Sequence, residues 1–212
     1  MPRTYRPALH FVPMPRRLRT SLTDSAARTT RQVTRSLRTQ AVTLGTMLGA
    51  FWLTFAVNFL LGGALTGFGI VPRTTDGLLG ILFAPFLHGT LNHLIANTVP
   101  FAALGWMVMW RDARHFLPVT AFAMLGAGLM AWTLGAPGSV HIGASGVVFG
   151  YLGFLLLAGV YARSVMSIVL SIVTAVLWGG LVLGIAPGQA GISWQAHLGG
   201  FLGGILAARR YR

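Results

Sequence analysis

The chain has 212 residues, 54% of them hydrophobic and only 9% charged, with a mean hydropathy of +0.70. Soluble domains carry about 25% charged residues, so the composition excludes an ordinary water-soluble domain and points to a polytopic membrane protein. All sixteen basic residues are arginine, the acidic ones are Asp24, Asp76 and Asp112, and the lack of cysteine excludes disulfides, thiolate catalysis and Cys-based zinc sites.

Residues 1–40 form a basic, Ser/Thr-rich arm that is too polar to span a membrane and lacks the apolar core and cleavage site of a secretory signal. Arg28, Arg31, Arg35 and Arg38 recur at helical spacing. The arm reads either as a disordered cytoplasmic tail or as a short interfacial helix, with anionic lipid as its candidate partner. The net charge of +13 does not imply nucleic acid, because nine arginines lie in the first 38 residues and most others between apolar segments.

Residues 41–212 read as one domain. A helix needs about 20 apolar residues to cross a bilayer core of about 30 Å. Six stretches qualify, near 41–63, 86–109, 116–135, 145–161, 165–184 and 194–209, which predicts an all-α bundle of six spans. Arg111, Arg114, Arg163 and the C-terminal arginines then share a side with the arm, and only Arg73, in the 64–85 connection, lies opposite. The positive-inside rule puts both termini in the cytoplasm. A bacterial plasma membrane suits this pattern. The alternative is a mitochondrial inner membrane, since the Arg-rich, acid-poor arm also resembles a transit peptide in composition.

Polar groups at membrane depth are expensive and mark function. Here they are His88, Asn92, His93, Asn97, Ser145 and His197, and no carboxylate accompanies them. That excludes an aspartyl protease, which needs two membrane aspartates, and an HExxH zinc protease, since the chain has no glutamate. A proton-coupled carrier built on carboxylates is disfavoured on the same ground. With neither carboxylate nor lysine available, a serine nucleophile would need histidine as its base.

Ser145 lies in Gly143-Ala144-Ser145-Gly146 at the start of the fourth span, where free helix N–H groups favour an oxyanion. In a chain with 28 glycines this motif alone is equally a packing site. His197 lies on the sixth span beside Gly199, Gly200, Gly203 and Gly204, whose spacing lets a neighbour approach closely, and Gly146 and Gly150 offer a matching stripe. Phe149, one turn below Ser145, is placed to pack on the imidazole. A lone membrane histidine is more often a helix–helix hydrogen bond than a base, but stripe and serine motif together favour catalysis. His93 and Asn97 are four apart on one helix face and both can present N–H donors to an oxyanion. His88 reads as structural, bonding loop backbone near the span's outer end. A His88/His93/His197 metal site is the weaker alternative, incomplete without a carboxylate second shell. At 1.5 Å per residue from the nearest cytoplasmic arginine, Ser145 and His93 sit about 27 Å up, Asn97 about 21 Å and His197 about 18 Å.

In order along the chain, HxxxxHxxxN (His88, His93, Asn97), GxSG (Gly143, Ser145, Gly146) and AHxxGxxxG (Ala196, His197, Gly200, Gly204) resemble the rhomboid family over about residues 41–209. The resemblance implies a serine endopeptidase with a Ser145–His197 dyad and no acidic third member. It also implies an oxyanion hole of His93, Asn97 and the Ser145 backbone N–H, and no cofactor or metal. Substrates would be single-span membrane proteins, cut near the outer face. The alternative is a non-catalytic rhomboid-like protein that binds membrane helices. A third class, a small transporter or channel, is disfavoured by the lack of membrane carboxylates and of a discernible repeat. The Trp-Arg pair common in the first external loop is missing, and Phe149 replaces the tyrosine often found one turn after the nucleophile.

Overall fold

The structure, a computed structural model, describes residues 16–189 and 191–211, with side chains from Thr30 onward. The chain divides into residues 1–39 and a larger unit, Gln40–Arg212. The first 15 residues of the arm lie outside the described residues; from Arg16 the arm is helical, where the sequence left a choice between disorder and a short interfacial helix. Its helix is the first part of α1, which spans Arg16–Leu60.

The larger unit is all-α. After α1 come α2 (Thr75–Phe83), α3 (Leu91–Asp112), α4 (Phe116–Leu134), α5 (Ser145–Ala162), α6 (Val165–Trp178) and α7 (Trp194–Arg210). Four stretches are long and apolar enough to cross a membrane: Thr30–Leu60, Leu91–Leu134, Ser145–Ala162 and Val165–Ile185. The second contains both α3 and α4, which are separated by one 3-10 turn at Ala113–His115, and α7 adds a helix of 17 residues. The six spans read from the sequence are therefore all helical.

Three local differences matter. First, the 64–85 connection is not a plain loop: it holds a 3-10 turn and α2, which starts where the Thr74 side chain accepts from the Gly77 N–H at 3.0 Å. Second, α3 begins at Leu91 rather than near residue 86, because Thr90 caps it by accepting from the His93 N–H at 3.1 Å. His88 thus precedes the helix. Third, the fifth span changes at Gly179-Gly180 from α-helix into a 3-10 segment, Gly179–Ile185, because paired glycines weaken the α-helix.

Helix α5 is the axis of the bundle. Tyr151, Leu152, Phe154 and Leu155 are fully buried, and Phe51, Phe101, Leu104, Val108 and Phe116 complete the core around them. The Tyr151 hydroxyl lies 2.7 Å from Thr120 Oγ1, and that hydroxyl already donates to Phe116 O at 2.7 Å, so tyrosine donates to threonine and both polar groups are satisfied.

Helix α7 is wedged between α4 and α5 by its glycines. A Cβ on Gly200 would collide with the Gly146 carbonyl, and one on Gly204 with the Gly150 carbonyl. On the other side Gly199 meets Gly126 O and Gly203 meets Phe122 O. Each stripe serves a different neighbour, so the four glycines bring two helices to backbone contact at once.

Candidate active site

Ser145 is the first residue of α5. The chain reaches it through Gly143, whose φ of 109° is left-handed and whose N–H donates to Ala84 O at 2.8 Å. Glycine is required there twice over: the dihedral strains any L side chain, and a Cβ would stand 2.5 Å from His93 Nε2. That tight turn aims Ser145 into the cavity and seats the His93 ring against it. In the first turn of α5 the Val147 and Val148 N–H groups bond Ala144 O at 2.9 and 3.0 Å, while those of Ser145 and Gly146 precede the helical ladder and are left as donors beside the serine hydroxyl.

His197 lies in the first turn of α7 and is buried. Its Nε2 is 2.9 Å from Ser145 Oγ, and its Nδ1 is 2.9 Å from the Gly184 carbonyl oxygen. A carbonyl only accepts, so Nδ1 carries the proton and Nε2 presents a lone pair to the serine hydroxyl. This is the tautomer a general base needs. Phe149 stacks on the imidazole with ring centroids 4.0 Å apart and planes inclined by 11°. Gly184 must be bare, since a Cβ would stand 2.9 Å from Phe149 Cζ and 3.3 Å from His197 Nδ1.

Ser145, His197, His93 and Asn97 line one cavity of about 790 Å³, with Phe149 and Gly184 also on its wall. Asn97 is buried, and one of its amide protons bonds His93 O at 2.9 Å, which fixes the side chain and leaves the second proton free of that bond. Gly143, Gly146 and Gly200 shape the site as backbone contacts rather than as cavity walls. Of the other membrane polar groups, Asn92 is exposed and stands apart. His88 is fully buried, with its ring 5.6 Å from Phe51 and 5.1 Å from His93, so it packs behind the His93 ring. Among the described residues no group of three or more His, Cys, Asp or Glu could hold a metal ion.

Sequence reasoning does not single out two neighbours of the site. Gly184 acts through its carbonyl, which residue type does not reveal. His141, four residues before Ser145, also lines the cavity, and its only signal in the sequence is a histidine two residues ahead of the GxSG turn.

A helical membrane bundle with a serine–histidine pair at the head of two glycine-packed helices defines a class, and comparison with known proteins names it. The Rhomboid domain matches residues 75–211, so the chain belongs to the rhomboid family, whose members are usually intramembrane serine proteases. The match starts at α2, later than the residue 41 at which the sequence resemblance begins. An uncharacterized protein of Mycobacterium tuberculosis is 40% identical over 174 residues, covering 78% of this chain and 72% of the relative. One from Mycobacterium leprae is 38% identical over 175 residues, covering 79% and 69%. A protein of Toxoplasma gondii named rhomboid-like protease 5 is 28% identical over 142 residues, covering 63% of this chain and 16% of that longer protein.

Proposed function

We propose that residues 41–212 form an intramembrane serine endopeptidase that cleaves single-span membrane proteins near the outer membrane face. The observation that carries this reading is the 2.9 Å approach of His197 Nε2 to Ser145 Oγ, with Nδ1 held by the Gly184 carbonyl. His197 takes the Ser145 proton as the hydroxyl attacks the scissile carbonyl. The resulting oxyanion is held by the Ser145 N–H, His93 and Asn97. His197 then passes its proton to the leaving amine, and water activated by the same imidazole hydrolyses the acyl-enzyme. The Gly184 carbonyl orients the ring, the task an aspartate performs in soluble serine proteases.

The arginine distribution supports cytoplasmic termini in a bacterial plasma membrane, with the arm on anionic lipid. A site in the outer half of the bilayer would receive water from outside.

The test is cleavage of a single-span reporter protein by the full chain in liposomes. The wild type should cut it, and Ser145→Ala should leave it intact while binding and folding persist. Equal cleavage by Ser145→Ala, or reporter binding with no cleavage by the wild type, would overturn the enzyme reading.

A further inference from the structure

The cavity is lined by a third imidazole, which this chemistry does not use. His141 lies on the loop between α4 and α5. Its Nδ1 is 2.6 Å from Ser193 Oγ and its Nε2 is 3.0 Å from Ser139 Oγ. Its backbone pairs in both directions with Ile70 at 2.9 Å, a lone antiparallel bridge that fixes the loop to the segment before α2. Ser193 is the N-cap of α7: its Oγ accepts from the Ala196 N–H at 3.3 Å, and its carbonyl accepts from the His197 N–H at 3.0 Å.

The directions of these bonds are determined. Ser139 Oγ lies 2.7 Å from Ala136 O, which only accepts, so the Ser139 hydroxyl donates there and its oxygen accepts from His141 Nε2–H. His141 Nδ1 is then bare and accepts from the Ser193 hydroxyl, whose oxygen remains for the Ala196 N–H. In the neutral imidazole every ring nitrogen and hydroxyl has one partner for each role. Burial lowers the His141 pKa, which favours that form. The seat is also tight, since a Cβ on Gly135 would stand 2.5 Å from His141 Nε2.

We propose that His141 is a positioning residue, which ties the loop leading into Ser145 to the cap residue that starts the His197 helix and so holds the two dyad side chains in register. The glycine contacts of α5 and α7 set how closely the helices approach. They do not fix the rotation of the first turn of α7, and the Ser193 bond does. A misplacement of about 1 Å at a reacting centre can cost about 100-fold in rate.

The inference rests on the dyad reading, and its test separates the two. In the full chain in detergent, a cycle of four proteins, wild type, His141→Phe, Ser193→Ala and the double variant, is compared, with His141→Asn as a fifth. Their rates of Ser145 labelling by a fluorophosphonate and their kcat and KM on a single-span substrate are measured. His141→Phe keeps a ring and removes both bonds, and should slow labelling and kcat by about 10- to 100-fold with KM unchanged. His141→Asn, whose side-chain oxygen reaches the Nδ1 position, should recover most of the loss. The double variant should be no slower than the slower single one, because both remove the same bond. Wild-type rates in His141→Phe, or single losses that multiply in the double variant, would overturn the proposal. If the wild type is not labelled, the dyad reading fails, and thermal unfolding of the same four proteins still decides on the tie: non-additive melting shifts support it and additive shifts overturn it.

Discussion

The two halves of the dyad's support are built on opposite rules. Ser145 and His197 stand on α5 and α7, which come to backbone contact where Gly200 faces the Gly146 carbonyl and Gly204 the Gly150 carbonyl. The partner that orients His197, the Gly184 carbonyl, stands on the 3-10 segment after α6, where no residue is buried. Within the candidate spans, 67% of α5 is buried but only 11% of an 18-residue stretch of Val165–Ile185. In membranes, helices associate by close packing rather than by a hydrophobic force, so a side-chain-free contact is a rigid one and an exposed apolar helix is a loosely held one. The distance between serine and histidine is therefore set by the stiff part of the bundle. The orientation of the imidazole depends on a part with few buried residues.

That contrast can be broken at several points. His197→Ala removes the base outright and should cut kcat by about 10⁴-fold or more, read on a single-span substrate, with the melting temperature little changed. Gly204→Leu places a side chain against the Gly150 carbonyl, which as backbone cannot turn aside. It should destabilise the bundle by about 1–3 kcal/mol and lower activity with it, measured by thermal unfolding in detergent. Asn97→Ala should cost about 10²- to 10³-fold in kcat if the amide holds the oxyanion.

Gly184→Ala sharpens the comparison. The atoms nearest its Cβ belong to the side chains of Phe149 and His197 rather than to backbone, so the fold should persist while kcat falls by about 10-fold through a tilted imidazole. Wild-type activity in this variant would show that the loose segment does not orient the base. At the bottom of the scale, Val176→Ala changes a side chain that is 77% exposed on α6 and should shift stability by less than about 0.5 kcal/mol, with cleavage unchanged.

The stiff half was legible in the sequence and the loose half was not. Glycines four apart declare a close contact whatever they pack against, and His93 and Asn97 declare a shared face by helical period. Hydropathy found every span because it needs only length and composition. It could not find α2, nine residues long, or see that the fifth span ends as a 3-10 segment. Nor could it show that His88 precedes α3, because the Thr90 cap that starts the helix is a single hydroxyl. Gly184 contributes a carbonyl that every residue possesses, so no residue pattern marks it. His141 was visible as a residue with Ser139 two positions before it, but its other partners, Ile70 and Ser193, come from separate parts of the chain and meet it only in the fold.

The central claim is that Ser145 is a nucleophile activated by His197. Its most direct measurement is covalent labelling of the intact protein in detergent by a fluorophosphonate, with the modified residue mapped by mass spectrometry. The account predicts one adduct per chain, on Ser145, that disappears in His197→Ala while the variant remains folded. No adduct on the folded wild type, or an adduct on Ser145 that forms equally fast without His197, would contradict it.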